Sequence, residues 1–554
     1  MVDPKHPDDP LLPGQAAAVP EREAPVLTGR QRQILELLRA GKVNKEIANE
    51  LGIGLGTVKQ HVVAIFKKLK VRNRAMAVSR GQDAAAGRAP GAGPLRVADG
   101  MLERRPCVVL SLALPDAVPG NAGRLLHQTL ATYAFDHDAL FLARKGNAGD
   151  LIFGIQRPTE HDLLLVLRAA HIVYAALAAH DGLSSSRLQG GLTAGMVIAS
   201  MERRGGWSGE AIASPAIAQA RDLAARTGAG RLQLDAAARE LLQALSPCAP
   251  ARAPGELDIA GLDRLPWQPA DEPLLLVGRE AEQGRLDALI EAAAGGAGRL
   301  VYLEGETGMG KSSLCHHAAT EWARRRGPVR RFVCAPDNGS ALIHTLPDGR
   351  PSALEAVLEA LADGPEGPAV IVDDCHLLPH EVLVELTQRA AKAAGRLVLL
   401  SGRRFPEAAA VAAETLRLGR LSQDATEALA NRTLGAGGAA LAPTIARMAT
   451  GVPLFVLQLA RQRERTPLPL PLRFVIGARI DKLALDRLLL RCVARAAKPV
   501  SAAELAAAMD TAPPVLAAAL TQAVAGGVLR RDDKGRFSFT HPLLQQAVAE
   551  AQVE

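Results

Sequence analysis

Leu300-Val301-Tyr302-Leu303-Glu304-Gly305-Glu306-Thr307-Gly308-Met309-Gly310-Lys311-Ser312-Ser313-Leu314 changes character twice within a short stretch. It opens as an apolar run suited to a buried strand, passes through closely spaced glycines to a lysine, and then begins a helix. Strand, glycine-rich loop and helix in this order predict a phosphate-binding loop. Gly305, Gly308 and Gly310 let backbone N–H groups converge on an anion, Lys311 brings charge to the β and γ phosphates, and Ser312, followed by Ser313, holds Mg²⁺. A second apolar run, Ala369-Val370-Ile371-Val372, ends in Asp373-Asp374. Asp373 is expected to orient Mg²⁺ through water and Asp374 to position an attacking water, which makes them the candidate catalytic pair. A third run, Leu397-Val398-Leu399-Leu400-Ser401, ends in Gly402-Arg403-Arg404, where Arg403 is placed to sense a γ-phosphate. The expected fold around these runs is an α/β domain, and the expected cofactors are ATP/ADP and Mg²⁺.

The rest of the chain is organised around this domain. At 554 residues it is too long for one core. Its composition, 48% hydrophobic and 22% charged, is that of a globular protein. No apolar run approaches the ~18 residues of a membrane span, and Met1–Lys5 has no apolar segment after its charges, so neither membrane anchoring nor a secretory leader is expected. Cys107, Cys248, Cys315, Cys334, Cys375 and Cys492 lie far apart without a CxxC pair, which argues against a zinc site or disulfide framework and for the reducing cytoplasm.

The net charge of +7 is concentrated. Between Leu27 and Arg80 twelve Lys/Arg face three Glu, so the remaining residues are slightly acidic and a polyanion is expected at this segment. Thr28 is a suitable N-cap for a helix through Ile34, Leu37 and Leu38. After a second short helix, Val58, Val62, Ile65 and Leu69 form an apolar stripe that leaves Gln60, Val63 and Lys67 on the opposite face, with Lys59 on the flank. That face suits a major groove: Gln pairs with adenine, and Lys reaches guanine or phosphate. Lys45, Thr57, Lys68, Arg72 and Arg74 are expected to hold phosphates. The segments Leu27-Thr28-Gly29-Arg30, Asn44-Lys45-Glu46-Ile47-Ala48, Thr57-Val58-Lys59-Gln60-His61-Val62 and Lys68–Arg74 resemble the LuxR-type DNA-binding domain over its whole length. Gly29, Gln31 and Gly54 depart from its usual Pro, Glu and Ser. The resemblance implies a helix-turn-helix contacting double-stranded DNA through these residues, His61 included.

Leu276-Val277-Gly278-Arg279-Glu280 and Gly451-Val452-Pro453-Leu454-Phe455 flank the phosphate-loop domain. With the ending, Val528-Leu529-Arg530 and Arg536–Phe539 around the Asp532–Gly535 turn, they resemble the STAND class of signal-transduction ATPases over about 274–550. The resemblance implies Gly278 and Arg279 beside the adenine, Pro453 in a helical subdomain, and His541 of a winged helix aimed at the β-phosphate. It implies a nucleotide switch with slow hydrolysis, ADP holding a closed form and ATP an open one. Pro513–Ala523 carries no Lys or Arg, which argues against a second DNA reader. The chain ends soon after this subdomain, so the input signal is expected through the middle block or a partner.

The middle block, about 105–270, resembles a class III nucleotide cyclase homology domain, a ferredoxin-like α+β fold. Cys107–Leu114, Phe135–Arg144, Leu151–Gly154 and Gln189–Ala199 are its expected strands. The two aspartates that such chemistry requires are not where expected. Cys107–Leu114 contains no carboxylate, and the hairpin position falls on Asn147, with Asp150 one register shift away. The helix expected to bring Asn and Arg offers Ala213 and Ile217. Cyclase activity is therefore not expected, and the block reads as a sensing or dimerisation module.

The expected division is a disordered tail at 1–26, the helix-turn-helix domain at 27–80, a linker at 81–104 and the cyclase-like domain at 105–270. The NTPase core follows at 274–420, with a helical subdomain at 421–475 and a winged-helix subdomain at 476–554. The function expected of this multidomain α/β chain is a cytoplasmic transcription regulator whose DNA binding or assembly, as a homodimer or ATP-dependent homo-oligomer, is switched by ATP/ADP. The alternatives are a soluble nucleotide cyclase with a fused regulatory ATPase, and a signalling scaffold without DNA binding.

Overall fold

The computed structural model describes residues 28–39, 47, 50, 51, 58, 61, 62, 64, 65 and 68 of the amino-terminal stretch. From 101 onward it describes all residues except 116–119, 160, 181–184, 210–211, 246–254, 265–275, 338–339, 347–349, 353, 363–366, 394, 436–437, 462–466, 497 and 554. They fall into two compact units, Met1–Pro94 and Leu95–Glu554.

In the first unit, α1 (Gly29–Arg39) is closed at its start by a reciprocal cap. Gln31 N–H donates to Thr28 Oγ1 at 3.2 Å, and Thr28 N–H donates to Gln31 Oε1 at 3.1 Å. The amide of Gln31 thus does the work of the glutamate usual in a capping box. Ile34, Leu38, Ile47, Val58, Val62 and Ile65 are all buried, so the apolar stripe read from the spacing is this unit's core. Leu69 lies outside the described residues.

The second unit holds two large sheets. The first has the order β2-β3-β1-β4-β5-β6. Its strands are β1 (Met101–Ala113), β2 (Leu140–Ala143), β3 (Ala148–Phe153), β4 (Gln189–Met201), β5 (Arg231–Leu234) and β6 (Glu256–Asp258). Helices α2 (Gly120–Asp136) and α3 (Asp162–His180) contribute Leu126, Leu130, Val166 and Val173 to the core. α3 is apolar enough to cross a membrane by composition, but here it is a core helix of this sheet. Two further helices follow, α4 (Pro215–Arg226) and α5 (Ala236–Leu245). Three expectations change. β1 begins at Met101, inside the stretch read as linker. Phe135 ends a helix, and only Leu140–Ala143 of its expected strand is one. Ala213 precedes α4 and bridges Ile198 instead of lying on a helix.

The second sheet has the order β10-β9-β8-β11-β12-β7-β13. Its strands β7 (Arg299–Glu304), β8 (Val329–Asp337), β11 (Ala369–Asp373), β12 (Leu397–Gly402) and β13 (Glu414–Arg417) are parallel. β9 (Ser340–Leu346) and β10 (Arg350–Ser352) extend one edge antiparallel. Both faces are covered, which explains the unbroken apolar runs. Val301, Leu303, Ile371 and Leu399 pack with α6 (Glu280–Ala294) and α7 (Lys311–Arg325), while Tyr302, Val370, Val372 and Leu400 pack with α8 (His380–Lys392).

The helices that follow β13 share one core. They are α9 (Gln423–Leu434), α10 (Ala442–Ala449), α11 (Pro453–Arg461), α12 (Leu470–Lys482), α13 (Arg487–Arg495), α14 (Ala502–Met509), α15 (Pro513–Ala525) and α16 (Pro542–Ala551), with the hairpin β14 (Leu529–Arg531) and β15 (Phe537–Phe539). Leu429, Val456, Ile476, Leu489, Leu516 and Leu543 belong to the same cluster. α12 runs through the expected boundary at 475/476, so the two expected subdomains are continuous there.

Candidate nucleotide site and DNA-binding helix

β7 delivers the chain to the loop and α7 carries it away, as the motif requires. Gly308 and Gly310 adopt φ of 81° and 94°, a left-handed backbone that glycine takes without the Cβ penalty. Gly308 is also covered: a Cβ there would stand 2.8 Å from Leu454 Cβ. A Cβ on Gly310 would meet no atom within 4 Å, so the loop is open on that side. Lys311 is buried, and its Nζ donates to Glu306 O at 3.2 Å. An ammonium has three protons to place. That carbonyl is the acceptor it finds among the described residues, a donor set that fits an anionic phosphate. Ser312 and Ser313 begin α7 beside it.

Asp373, at the end of β11, is 3% exposed and accepts from Ser401 Oγ at the end of the neighbouring β12. Asp374 N–H donates to Asp373 Oδ1 at 3.0 Å and to Ser401 Oγ at 3.2 Å, with Asp374 itself at φ 52°. In the sequence Ser401 is only the end of an apolar run; its bond to Asp373 follows from β11 and β12 being neighbours. Arg403 Nη2 donates to Thr307 Oγ1 at 3.2 Å, and Arg403 O accepts from Tyr302 Oη at 2.5 Å. The three strand ends therefore converge on the loop.

Arg279, the residue expected beside an adenine, is engaged by backbone carbonyls. It is 5% exposed, and its Nη2 donates to Met309 O at 3.2 Å and to Gly419 O at 2.5 Å. It ties the entry segment to the phosphate loop and to the chain after β13. Gly278, at φ 71°, lies so close to α9 that a Cβ would meet Ala425 Cβ at 2.4 Å. Pro453 starts α11, and the next residue, Leu454, donates its N–H to Gly308 O at 3.2 Å. Gly451 O accepts from Leu421 N–H at 2.8 Å.

His541 caps α16: its Nδ1 accepts from Leu543 N–H at 3.1 Å, and its Nε2 donates to Ala449 O at 3.2 Å. Both ring nitrogens are thus engaged by backbone, at the turn that precedes α11. Burial pushes its pKa down to about 4, the Ala449 bond opposes this, and Arg420 and Arg479 push the same way. The unfolded chain takes up a proton near 6.5 and the folded chain near 4, so the contribution is full above 6.5 and is lost as pH falls between these values. The loss is about 3 kcal/mol at most. Urea unfolding at pH 7.5, 6 and 5 is expected to show it, and His541→Asn, which keeps a capping side chain, removes that part of the slope. Equal pH slopes for the two proteins contradict it.

α12 brings two more cations towards the loop. Burial lowers the pKa of Arg479, opposed by Glu306 and reinforced by Arg420. Lys482 is likewise lowered by burial, with Arg403 adding to the effect and Glu306 opposing it. Neither residue was singled out by its sequence context.

In the first sheet, Asp150 rather than Asn147 lies directly across from Ser111 in the register of β1 and β3. It is fully buried and paired with Arg221 of α4 at 2.7 Å and with Arg144 at 3.7 Å. Arg144 also donates to Ser111 Oγ at 3.2 Å. The one carboxylate at this position is held by two arginines, and Arg221 is a participant that the sequence reading missed.

Of the expected DNA-contacting residues, His61 is half-buried and helical, next to the core residue Val62. Lys68 is exposed, and its Nζ donates to Gln31 Oε1 at 3.0 Å. Lys45, Thr57, Lys59, Gln60, Val63, Lys67, Arg72 and Arg74 lie outside the described residues.

The helical amino-terminal unit and the glycine loop joining a parallel strand to a helix define a protein that joins a helix-turn-helix to an ATPase. Residues 25–80 match the model of bacterial regulatory proteins of the luxR family, and residues 275–526 match the AAA ATPase domain. The chain is 46% identical over 54 residues to the spore germination protein GerE of Bacillus subtilis strain 168, covering 10% of this chain and 73% of GerE. It is 46% identical over 61 residues to the transcriptional regulatory protein DesR of the same strain, covering 11% of this chain and 31% of DesR. It is 44% identical over 70 residues to the HTH-type transcriptional regulator YhjB of Escherichia coli strain K12, covering 12% and 35%. The chain thus spans about a third of the length of DesR and YhjB. Among solved structures, it is similar to the STAND protein PH0952 of Pyrococcus horikoshii (15% identity, 50% of this chain, 42% of that one, TM-score 0.24). It is also similar to the guanylyl cyclase Cya2 (14% identity, 26% and 80%, TM-score 0.21). The chain belongs to the LuxR family of bacterial regulatory proteins through its amino-terminal domain, a kind of domain that binds double-stranded DNA, and it carries an AAA ATPase domain, which implies nucleotide binding.

Proposed function

We propose that this protein is a transcription regulator whose assembly and DNA affinity are set by whether ATP or ADP occupies the phosphate loop. The observation that carries this reading is the backbone bond from Leu454 to Gly308, with Leu454 packed over the same glycine. Whatever rearranges the loop displaces the start of α11. The turn before α11 is in turn held by His541 through Ala449 O, so the C-terminal part is tied to the same point.

Gly305, Gly308, Gly310, Lys311, Ser312 and Ser313 hold the phosphates, with Arg403 at the γ-phosphate end. Ser312 and Asp373 hold Mg²⁺, which supplies charge neutralisation at the phosphates when bound. Ser401 fixes Asp373, and Asp374 orients a water. Gly278, Arg279 and Pro453 shape the edge of the site. In the described arrangement Arg279 donates to Met309 O, Gly419 O and Glu282 Oε1, and it acts by holding the entry segment. For His541 to contact a β-phosphate, Nε2 must exchange Ala449 O for it, which makes the histidine a two-position contact. Arg479 and Lys482, depressed by burial and by other cations, gain from an arriving triphosphate. Lys45, Thr57, Lys59, Gln60, His61, Val63, Lys67, Lys68 and Arg72 contact the duplex, and a two-fold dimer reads two half-sites.

The middle domain is read as a ferredoxin-like sensing or dimerisation module, since Asp150 is committed to Arg144 and Arg221. Sedimentation of the full chain in saturating ATP·Mg²⁺ and in ADP tests the reading: a larger species in ATP supports it, and identical distributions overturn it.

A further inference from the structure

α12 is shared between two cores. Its Phe474 is fully buried in the core of the first sheet, while Leu472 and Ile476 face the C-terminal core. Gly477 faces Pro158, where a Cβ would stand 2.9 Å from Pro158 Cγ. Below this contact lies a closed ionic group. Arg105 of β1 pairs with Asp481 of α12, and Arg487 of α13 pairs with both Asp481 and Glu103. Arg105 and Glu103 are 3.6 Å apart, and all four side chains are at most 7% exposed. Two arginines and two carboxylates balance, which is what makes their burial tolerable.

Above this floor the two parts of the unit line a cleft that opens to solvent and has a cavity volume of about 60 Å³. None of its lining residues belongs to the phosphate loop, so it is separate from the nucleotide site. The walls are apolar: Pro106 and Met196 come from the sheet, and Ile476, Leu490 and Val548 from the helices. The charged lining is unbalanced, with five arginines against Glu103 and Asp481. Arg105 and Arg487 are used by those carboxylates, and Arg473 donates to Glu550. Arg104 and Arg491 are left over, with no carboxylate paired to either among the described residues. Burial lowers the pKa of Arg473, Glu550 opposes this, and Arg104 lowers it further, so cations are crowded at this mouth. Arg105 and Arg487, each more than nine-tenths buried, also keep an Nε–H with no acceptor among the described residues.

Surplus guanidiniums over apolar walls match a ligand with one anionic head and an apolar body. We propose that this cleft is an effector site for a small amphipathic carboxylate, bound jointly by β1 and by α12, α13 and α16. Its occupant touches both sides of the ionic floor, so it binds the docked arrangement and stabilises it by mass action. Because α12 also carries Arg479 and Lys482 towards Glu306, occupancy and nucleotide binding are coupled, and the coupling is reciprocal.

The test is calorimetric titration of the full chain with decanoate. Saturable binding of one decanoate per chain is expected, at least about tenfold weaker for the rim double variant Arg104→Glu with Arg491→Glu, and weaker for uncharged decanol than for decanoate. The rim variant leaves the buried pairs intact, and its unchanged melting temperature shows that it folds. Lys311→Ala is expected to bind decanoate as the natural protein does, so failure of the nucleotide reading and failure of this one are distinguishable. Absence of saturable binding, or binding indifferent to the rim charge reversal in a folded variant, overturns the proposal.

Discussion

Lys311→Ala is expected to weaken ATP binding by about 100-fold or more, on the order of 3 kcal/mol, while the protein stays folded. Lys311 is a buried ammonium whose bond to a loop carbonyl uses one of its three protons. Removing it takes away the charge-assisted contacts to the phosphates, each worth about 1.5–3 kcal/mol. It leaves no unpaired buried charge behind, because the former partner is a neutral carbonyl of the loop. The fold is therefore expected to survive, and DNA affinity is expected to become independent of nucleotide rather than to disappear. Calorimetry with ATP·Mg²⁺ measures the first effect and circular dichroism the second. Retained nucleotide affinity in the variant contradicts the assignment of the site.

Lys59→Ala with Gln60→Ala is expected to abolish sequence-specific DNA binding, a loss of about 2–6 kcal/mol if each contact carries about 1–3. Val58 and Val62 are fully buried, and helical spacing read from the sequence leads to the expectation of Gln60 on the opposite face. ATP binding is expected to be unaffected, because both residues belong to the amino-terminal unit. Competition gel shifts with specific and random duplexes separate this from a general loss of charge, since Lys59 contributes to both and Gln60 to the specific term. Unchanged specific affinity favours the scaffold reading.

Three strands of the parallel sheet, β7, β11 and β12, were readable because they are buried on both faces and so appear as continuous apolar runs ending in the loop, in Asp373-Asp374 and in Gly402-Arg403; β8 and β13 were not. The amino-terminal core was readable because a helix repeats at fixed spacing, which placed Ile34, Val58, Val62 and Ile65 correctly. What was not readable depends on contacts between distant segments. Ser401 meets Asp373 only because β12 lies beside β11. Arg279 reaches Gly419 across many residues of intervening chain. Arg221 meets Asp150 across the face of the first sheet, whereas the family resemblance points to Asn147 and Ile217. The start of β1 does not read as a strand because Glu103, Arg104 and Arg105 break its apolar pattern. Two of these residues form the buried pairs with Asp481 and Arg487, partners that lie far along the chain.

The claim that nucleotide governs DNA engagement is tested most directly by titrating the full chain onto a genomic fragment recovered with it, following fluorescence anisotropy in saturating ATP·Mg²⁺ and in ADP at one salt concentration. The account predicts apparent affinities differing by at least about tenfold, a coupling of about 1.4 kcal/mol or more, with the difference erased in Lys311→Ala. Superimposable isotherms in ATP and ADP, from protein shown to bind both, contradict it.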